Sequence, residues 1–253
     1  MSPTAAFLAD RGVVRVEGED APGFLQGLLT NDVLALAAGE ARYAALLTPQ
    51  GKILFDFLVL RAPGAPAAFL LDCPKALAAD LARRLAIYKL RAKVAILDES
   101  AALGVVADWG DAADAIGEAG LAAYEAGRIA AGAPKGGVDF AYGDAFPHDV
   151  DMDLLNGVDF KKGCYVGQEV VSRMKHRGEA RRRVVKVRLS GAAPEPGAPV
   201  TDGALAVGAL GGAAGDRALA LVRVDRVAAA LAAGRPLTTA GVVLTLDDPP
   251  AAS

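Results

Sequence analysis

One stretch of the sequence is the most informative about the fold, and it runs Asp159-Phe160-Lys161-Lys162-Gly163-Cys164-Tyr165-Val166-Gly167-Gln168-Glu169. Gly163 and Gly167 allow backbone conformations that other residues adopt only with strain. Cys164 lies between them, after a lysine pair and before a helix predicted to begin near Gln168. Cations and the amide groups of a helix N-terminus both stabilise a thiolate, so the pattern indicates a reactive thiol. A small cysteine that only packs in the interior is the alternative.

The chain changes character downstream of this stretch, after Gly178. Basic and apolar residues alternate from Val184 to Leu189, which predicts a strand with one face buried. Short apolar segments separated by glycine follow around residues 204–210, 218–224 and 242–246, and they predict a small antiparallel barrel or sandwich. We therefore expect two domains, comprising residues 1–182 and 183–253.

Upstream of the stretch, helical and strand patterns are mixed. Residues 41–47 and 53–60 have strand patterns and flank Thr48-Pro49-Gln50-Gly51, a strong turn signal that predicts a hairpin. A helix is predicted to begin after Asp20, which we expect to cap it, and to end near residues 30–32. Residues 75–84 have the spacing of an amphipathic helix. This mixture predicts an α+β fold.

Composition excludes several classes of protein. Of the 253 residues, 53% are hydrophobic and 23% are charged, with a formal net charge of −3, which is typical of a globular protein without general attraction for nucleic acid. No apolar run approaches the ~18 residues of a membrane span, and the first residues do not resemble a signal peptide. With two cysteines and two histidines, neither a disulfide framework nor a self-contained metal site is expected. We expect a cytoplasmic protein with no membrane partner and no stable nucleic-acid binding.

The segment Lys162–Glu169 follows the pattern K-G-C-Y-x-G-Q-E, and it resembles the signature of the YgfZ family and its mitochondrial iron–sulfur assembly relatives. Further matches stand in the family's order, at residues 24–32, 48–56, 146–149, 156–158 and 172–178. The resemblance covers most of residues 10 to 183 and, more loosely, the C-terminal part.

The resemblance implies a fold and a function. The fold is that of the glycine cleavage T-protein: a folate-binding N-terminal region of mixed sheets and helices around a central channel, followed by a small C-terminal antiparallel β-barrel. Members bind tetrahydrofolate or a one-carbon derivative and support the assembly or repair of iron–sulfur clusters in client enzymes, including tRNA-modifying ones. The implied partners are folate and iron–sulfur client proteins or assembly factors.

The resemblance also assigns roles to residues. Cys164 and Asp56 take the catalytic positions, Asp56 because it falls where the T-protein carries its catalytic aspartate. The residues expected to bind the folate cofactor are Asn31, Asp56, Lys162, Gly163, Tyr165, Gln168, Glu169 and Arg173. Asp151 stands where relatives commonly have an asparagine, and since a carboxylate only accepts hydrogen bonds, contacts at that point should differ.

Other interpretations stay open at this point. Asp56 could be a buried carboxylate or a strand residue on the solvent face. The basic residues 175–177 and 181–183 could hold the glutamate tail of folate, an acidic partner or RNA phosphate, or could be a solvated helix end. Whether any reaction is catalysed is not decided by the sequence. One rival function is a folate-dependent aminomethyltransferase that transfers one-carbon units, and another is a partner-binding scaffold that no longer binds folate.

Overall fold

The structure, a computed structural model, describes residues 6–107, 118–178 and 180–248. By their contacts these residues form two compact units. The first unit comprises residues 7–107 and 152–172, and the second comprises residues 118–151 and the described residues after 172. All of the predicted site residues except Arg173 belong to the first unit.

The first unit is built on an antiparallel sheet of five strands in the order β3-β4-β5-β2-β6. Its strands are β2 (Arg11–Glu17), β3 (Ala41–Leu47), β4 (Ile53–Arg61), β5 (Ala68–Pro74) and β6 (Ala95–Asp98). A two-stranded ladder is formed by β1 (Ala6–Leu8) and β7 (Val105–Ala107). The helices are α1 (Ala21–Gln26) and α2 (Ala78–Lys89), the latter preceded by a 3-10 turn at Lys75–Leu77.

The predicted hairpin is confirmed as β3 and β4. The turn between them is closed by hydrogen bonds from the Thr48 amide to the Lys52 carbonyl (2.8 Å) and from the Gly51 amide to the Thr48 carbonyl (2.9 Å). Gly51 has φ +82°, a conformation in which a side chain would be strained, so the turn needs glycine at this point.

The two faces of the sheet have different chemistry. One face carries the main core, in which Phe57, Phe69 and Leu71 pack with the buried side of α1 and α2. The other face includes Asp56 and Asp72, both buried. Period-two alternation along β4 places Phe55 and Phe57 in the core and Asp56 on the opposite side.

The second unit contains a closed antiparallel barrel of six strands in the order β10-β11-β8-β13-β12-β9. The strands are β8 (Arg182–Leu189), β9 (Pro199–Thr201), β10 (Ala206–Ala214), β11 (Arg217–Arg223), β12 (Leu237–Thr239) and β13 (Val242–Leu246). The helices are α3 (Glu118–Ala131) and α5 (Val224–Ala232), with a 3-10 turn at Pro147–Val150. A further helix, α4 (Gln168–Arg177), begins in the first unit and ends in the second. In β8, Val185, Val187 and Leu189 enter the barrel core as the alternation predicts.

The predicted fold class is confirmed: the protein is α+β, with a C-terminal antiparallel barrel.

Some local predictions were wrong. The first helix ends at Gln26 rather than near residues 30–32, and Asp20 makes no side-chain cap; its carboxylate accepts a hydrogen bond from the Lys93 amide (2.7 Å) instead. The alanine-rich helices α3 and α5 were not predicted. The boundary at 182/183 stays a proposal. No helix within the described ranges is long and apolar enough to cross a membrane.

Candidate functional site

Lys162 anchors the signature stretch to the segment that follows α1. Its Nζ donates hydrogen bonds to three backbone carbonyls, those of Gln26 (2.9 Å), Leu29 (2.6 Å) and Asn31 (2.8 Å). These carbonyls lie at and just beyond the end of a short helix, where backbone acceptors have no partner within the helix. The ammonium has three donors, so all of its hydrogen-bonding capacity is used to hold the backbone.

Lys162 and its sequence neighbour Lys161 differ in burial. Lys162 is buried, whereas Lys161 is exposed. Desolvation lowers the pKa of Lys162 to about 8, against the opposing attraction of Asp32 and Asp159. Asp159 also sets the turn at this point, because its Oδ1 accepts hydrogen bonds from the amides of Lys161 (2.7 Å) and Lys162 (3.1 Å). The side chain expected to bind folate therefore has a structural role in this arrangement.

Tyr165 packs beside this anchor, with the centroid of its ring 5.3 Å from Lys162 Nζ. Only 7% of the residue is exposed, and its hydroxyl has no hydrogen-bond partner among the described residues. Burial raises the pKa of Tyr165, with Asp159 as a smaller cause, so the hydroxyl keeps its proton. An unsatisfied buried hydroxyl costs about 1–3 kcal/mol, and a bound polar group would remove this cost.

Gly167 brings the signature stretch against the hairpin turn. It has φ +82°, and a Cβ at this position would lie 2.5 Å from the Thr48 carbonyl oxygen and 3.1 Å from Gly51 Cα. Gly51 in turn faces the side chain of Val170. Two motifs more than a hundred residues apart in the sequence are thus in contact, and both require glycine where their backbones meet.

Asn31 and Thr30 join three parts of the first unit through backbone hydrogen bonds. Asn31 Nδ2 donates to the carbonyls of Tyr43 (2.9 Å) and Asn156 (2.5 Å). Thr30 Oγ1 donates to the Gly157 carbonyl (2.7 Å) and accepts from the Ala45 amide (2.9 Å). The amide of Asn31 is used within the protein, so this residue positions the site more than it offers donors to a ligand. Sequence reasoning missed Thr30, although it lies within the matched segment.

Asp56 lies on the sheet face opposite the core, where its Oδ2 accepts a hydrogen bond from the Tyr43 hydroxyl (2.9 Å). It is 6% exposed, so the solvent-face interpretation is wrong. Tyr43 is fixed by Gly157, at which a Cβ would lie 2.8 Å from the tyrosine ring. Asp72, which sequence reasoning also missed, shares this face; burial raises its pKa, and its ion pair with Arg11 (2.8 Å) acts in the opposite sense.

The remaining predicted residues of the stretch face outward. Cys164 is exposed, as are Gly163 and Glu169, while Gln168 is half-buried at the start of α4. The other cysteine, Cys73, is fully buried in the core, and burial raises the pKa of its thiol to about 12. The structure thus joins Asp56, Tyr43, Asn31, Lys162 and Tyr165 by direct contacts, and it presents Cys164 at the surface. Arg173 belongs to the second unit.

Asp151 of the second unit, which stands where relatives commonly have asparagine, is held by an arginine of the same unit. Its Oδ1 accepts a hydrogen bond from Arg183 Nη1 at 2.9 Å, and Arg183 also donates to the His148 carbonyl (2.8 Å). Arg182 forms ion pairs with Asp144 (2.6 Å) and Asp149 (2.8 Å). Two residues of the predicted basic cluster are therefore neutralised by carboxylates of their own unit.

A cavity of about 550 Å³ lies in the second unit, between the loop at residues 137–141 and strands β10 and β11. None of the predicted site residues lines it. Within the described part of the chain, no group of three or more His, Cys, Asp or Glu side chains is placed to hold a metal ion.

Comparisons with protein families match both parts of the chain. Residues 9–142 match the GCVT N-terminal domain, and residues 181–253 match the CAF17 C-terminal β-barrel domain. Among solved structures, glycine cleavage system aminomethyltransferase T from Bartonella henselae superposes with a TM-score of 0.71 and 17% identity, covering 97% of this chain and 85% of that one. At this identity the likeness is one of fold.

Curated relatives are more similar in sequence. The mitochondrial iron–sulfur cluster assembly factor IBA57 of Mus musculus is 33% identical, covering 84% of this chain and 73% of the relative. The Homo sapiens protein of that name is 31% identical, covering 82% and 72%. The homologue from Mycosarcoma maydis is 32% identical, and the chain spans 60% of its length.

These relatives contradict the expected cytoplasmic location. All of those named are mitochondrial proteins. The expectation was wrong because it was drawn from cysteine content and from the sequence pattern of a secretory signal. Few cysteines suit any reducing compartment, and mitochondrial targeting segments are amphipathic and basic rather than apolar.

Proposed function

Because this chain belongs to the family of the iron–sulfur cluster assembly factor IBA57, we propose that it supports iron–sulfur protein maturation and binds tetrahydrofolate while doing so. The observation that carries the proposal is the position of Cys164. Its thiol is exposed on a loop whose neighbours, Lys162 and Tyr165, are buried. Such a loop presents a thiol to a partner at a fixed place.

In this proposal the cluster or its iron is cargo rather than a resident group. Protein-bound clusters take several cysteine or histidine ligands, and the described residues supply no such group around Cys164. After losing its proton to solvent, the Cys164 thiolate binds one iron in place of a ligand of the protein that delivers the cluster, and the released ligand takes up a proton. A partner protein supplies the remaining ligands. No electron transfer is needed for this exchange of ligands.

The residues of the first unit fit a folate chemically. A pterin ring carries amide and amine donors along one edge, and the buried carboxylate of Asp56 accepts such donors. Tyr165 supplies a buried hydroxyl that no described residue satisfies. When bound, the folate would supply one-carbon chemistry or a redox-sensitive ring. The chain's own residues orient the ring and hold the Cys164 loop.

The narrower assignment to the YgfZ branch, with tRNA-modifying enzymes among the clients, is supported by the segment Lys162–Glu169. The aminomethyltransferase alternative is supported by likeness of fold alone. Production of methylenetetrahydrofolate from an aminomethyl donor, lost in Asp56→Ala and kept in Cys164→Ser, would favour this alternative.

The test has two arms. In calorimetric titrations with tetrahydrofolate, we expect saturable binding that Asp56→Ala and Tyr165→Phe weaken and Cys164→Ser leaves unchanged. In cells lacking the mouse relative, the chain fused to that relative's targeting segment should restore iron–sulfur enzyme activity. Cys164→Ser should abolish this rescue, and Leu205→Ala, an exposed change in the barrel, should not. Rescue by Cys164→Ser would contradict the role of the thiol, and absence of binding would contradict that of folate.

A further inference from the structure

Helix α2 ends in an exposed apolar tip on the first unit. Leu81 and Leu85 are buried on the core side of the helix, whereas Ile87 is 65% exposed and Leu90, directly after the helix, is 89% exposed. Single exposed aliphatic residues are common on protein surfaces. Ile87 and Leu90 differ from such single residues in two respects: the backbone conformation of Leu90 and the positive charges near both residues in the sequence.

Leu90 occupies a position in a turn that normally belongs to glycine. The Lys89 carbonyl accepts a hydrogen bond from the Ala92 amide at 2.8 Å, which closes a four-residue turn. Leu90 has φ 45° and ψ −108°, values close to the second position of a type II′ turn. A leucine in this conformation is strained, and its side chain is not buried to offset the strain. Strain of this kind is concentrated at functional sites.

The surrounding cations are available for a partner. Arg84, Lys89 and Arg91 have no ion pair or side-chain hydrogen bond within the described residues. In contrast, nearby Arg83 pairs with Asp80, and Lys93 pairs with Glu19. We call Arg84, Ile87, Lys89, Leu90 and Arg91 the α2 tip. It concentrates three positive charges on a chain whose formal net charge is −3.

We propose that the α2 tip is a docking site for an acidic protein segment that presents apolar side chains flanked by carboxylates. Guanidinium groups pair with carboxylates through two parallel hydrogen bonds. Exposed aliphatic side chains accompanied by polar groups are a composition that protein interfaces use. A patch of this size fits a transient contact rather than a permanent one.

The same features argue against other occupants. Single-stranded nucleic acids are held by aromatic side chains on which bases stack, and the anchors here are aliphatic. A helix that lies on a membrane presents a long apolar face to the lipid, whereas α2 turns its apolar face into the core and exposes large apolar side chains only in and directly after its last turn. Binding at the α2 tip requires neither a folate nor a cluster.

The test measures fluorescence anisotropy of a labelled helical peptide whose leucine stripe is flanked on both sides by glutamate, against a matched peptide with lysine in place of glutamate. We expect the acidic peptide alone to bind, with affinity that falls as salt is raised. Leu90→Gly should weaken binding about tenfold or more while raising the melting temperature, because glycine fits the turn. The double variant Arg84→Glu/Arg91→Glu should also lose binding. Arg217→Glu and Leu205→Ala, matched changes at exposed barrel residues, should keep it.

Several outcomes would overturn the proposal. One is unchanged peptide affinity in Leu90→Gly; another is equal binding of both peptides. Tighter, Leu90-dependent binding of phosphatidylglycerol vesicles or of single-stranded RNA would identify a membrane or RNA surface instead. Self-association that Leu90→Gly removes would make the occupant a second copy. Tetrahydrofolate titration of these variants should match wild type, which separates this test from that of the proposed function.

Discussion

Lys162 and Cys164 lie two residues apart in one loop and have opposite environments. Lys162 is buried, with its ammonium saturated by three carbonyls, whereas Cys164 is exposed. The difference shows that the signature stretch has two roles. One part fixes the loop to the backbone of a distant segment, and the other displays a thiol. A residue of a family signature can therefore serve the fold itself.

The largest expected effect is on thiol reactivity. Cys164 should react at once with a thiol reagent such as dithionitrobenzoate in the native protein. Cys73 should react at least about a thousandfold more slowly than Cys164. Its exposure requires opening of a core whose stability is at least about 5 kcal/mol. Stopped-flow absorbance should therefore count one fast thiol in buffer and two in urea. Cys164→Ser, which should remove the fast phase, is the control. Two fast thiols in buffer would contradict the burial of Cys73.

The next effect concerns the anchor. Lys162→Met should lower the free energy of unfolding by about 3 kcal/mol or more, because three carbonyls lose a charged donor in a buried setting. Lys161→Met changes an exposed neighbour and should stay within about 0.5 kcal/mol. Urea denaturation followed by circular dichroism measures both. Equal effects of the two variants would mean that Lys162 is not the anchor.

A smaller effect separates the two glycines that flank Cys164. Gly167→Ala should cost about 2 kcal/mol, because the residue has positive φ and its new Cβ would meet the Thr48 carbonyl. Gly163→Ala should be nearly neutral, since nothing lies within 4 Å of a Cβ at that position. The same denaturation experiment applies. A larger loss of stability for Gly163→Ala would contradict a loop that is held at Gly167.

Local patterns predicted the parts of the fold whose physics is local. The β3–β4 hairpin follows from a turn sequence with glycine at a positive φ, and β8 follows from alternation of apolar and basic residues. The helices α3 and α5 were missed because alanine occupies exposed as well as buried positions, as Ala229 and Ala230 of α5 do, so residue type alone does not mark the buried face. The turn at Leu90 could not be predicted, because leucine at a glycine position opposes the local preference.

The candidate site divides in the same way. Residue types and their spacing are enough to identify the family signature, the glycines at 163 and 167, and the aspartate in the strand after the turn. Long-range contacts of the fold determine which lysine of the pair is buried, and they place Asp56 away from solvent beside Tyr43. The reason is distance along the chain. The carbonyls that hold Lys162 precede it by more than 130 residues, so the free energy that favours its burial exists only once the fold has brought them together.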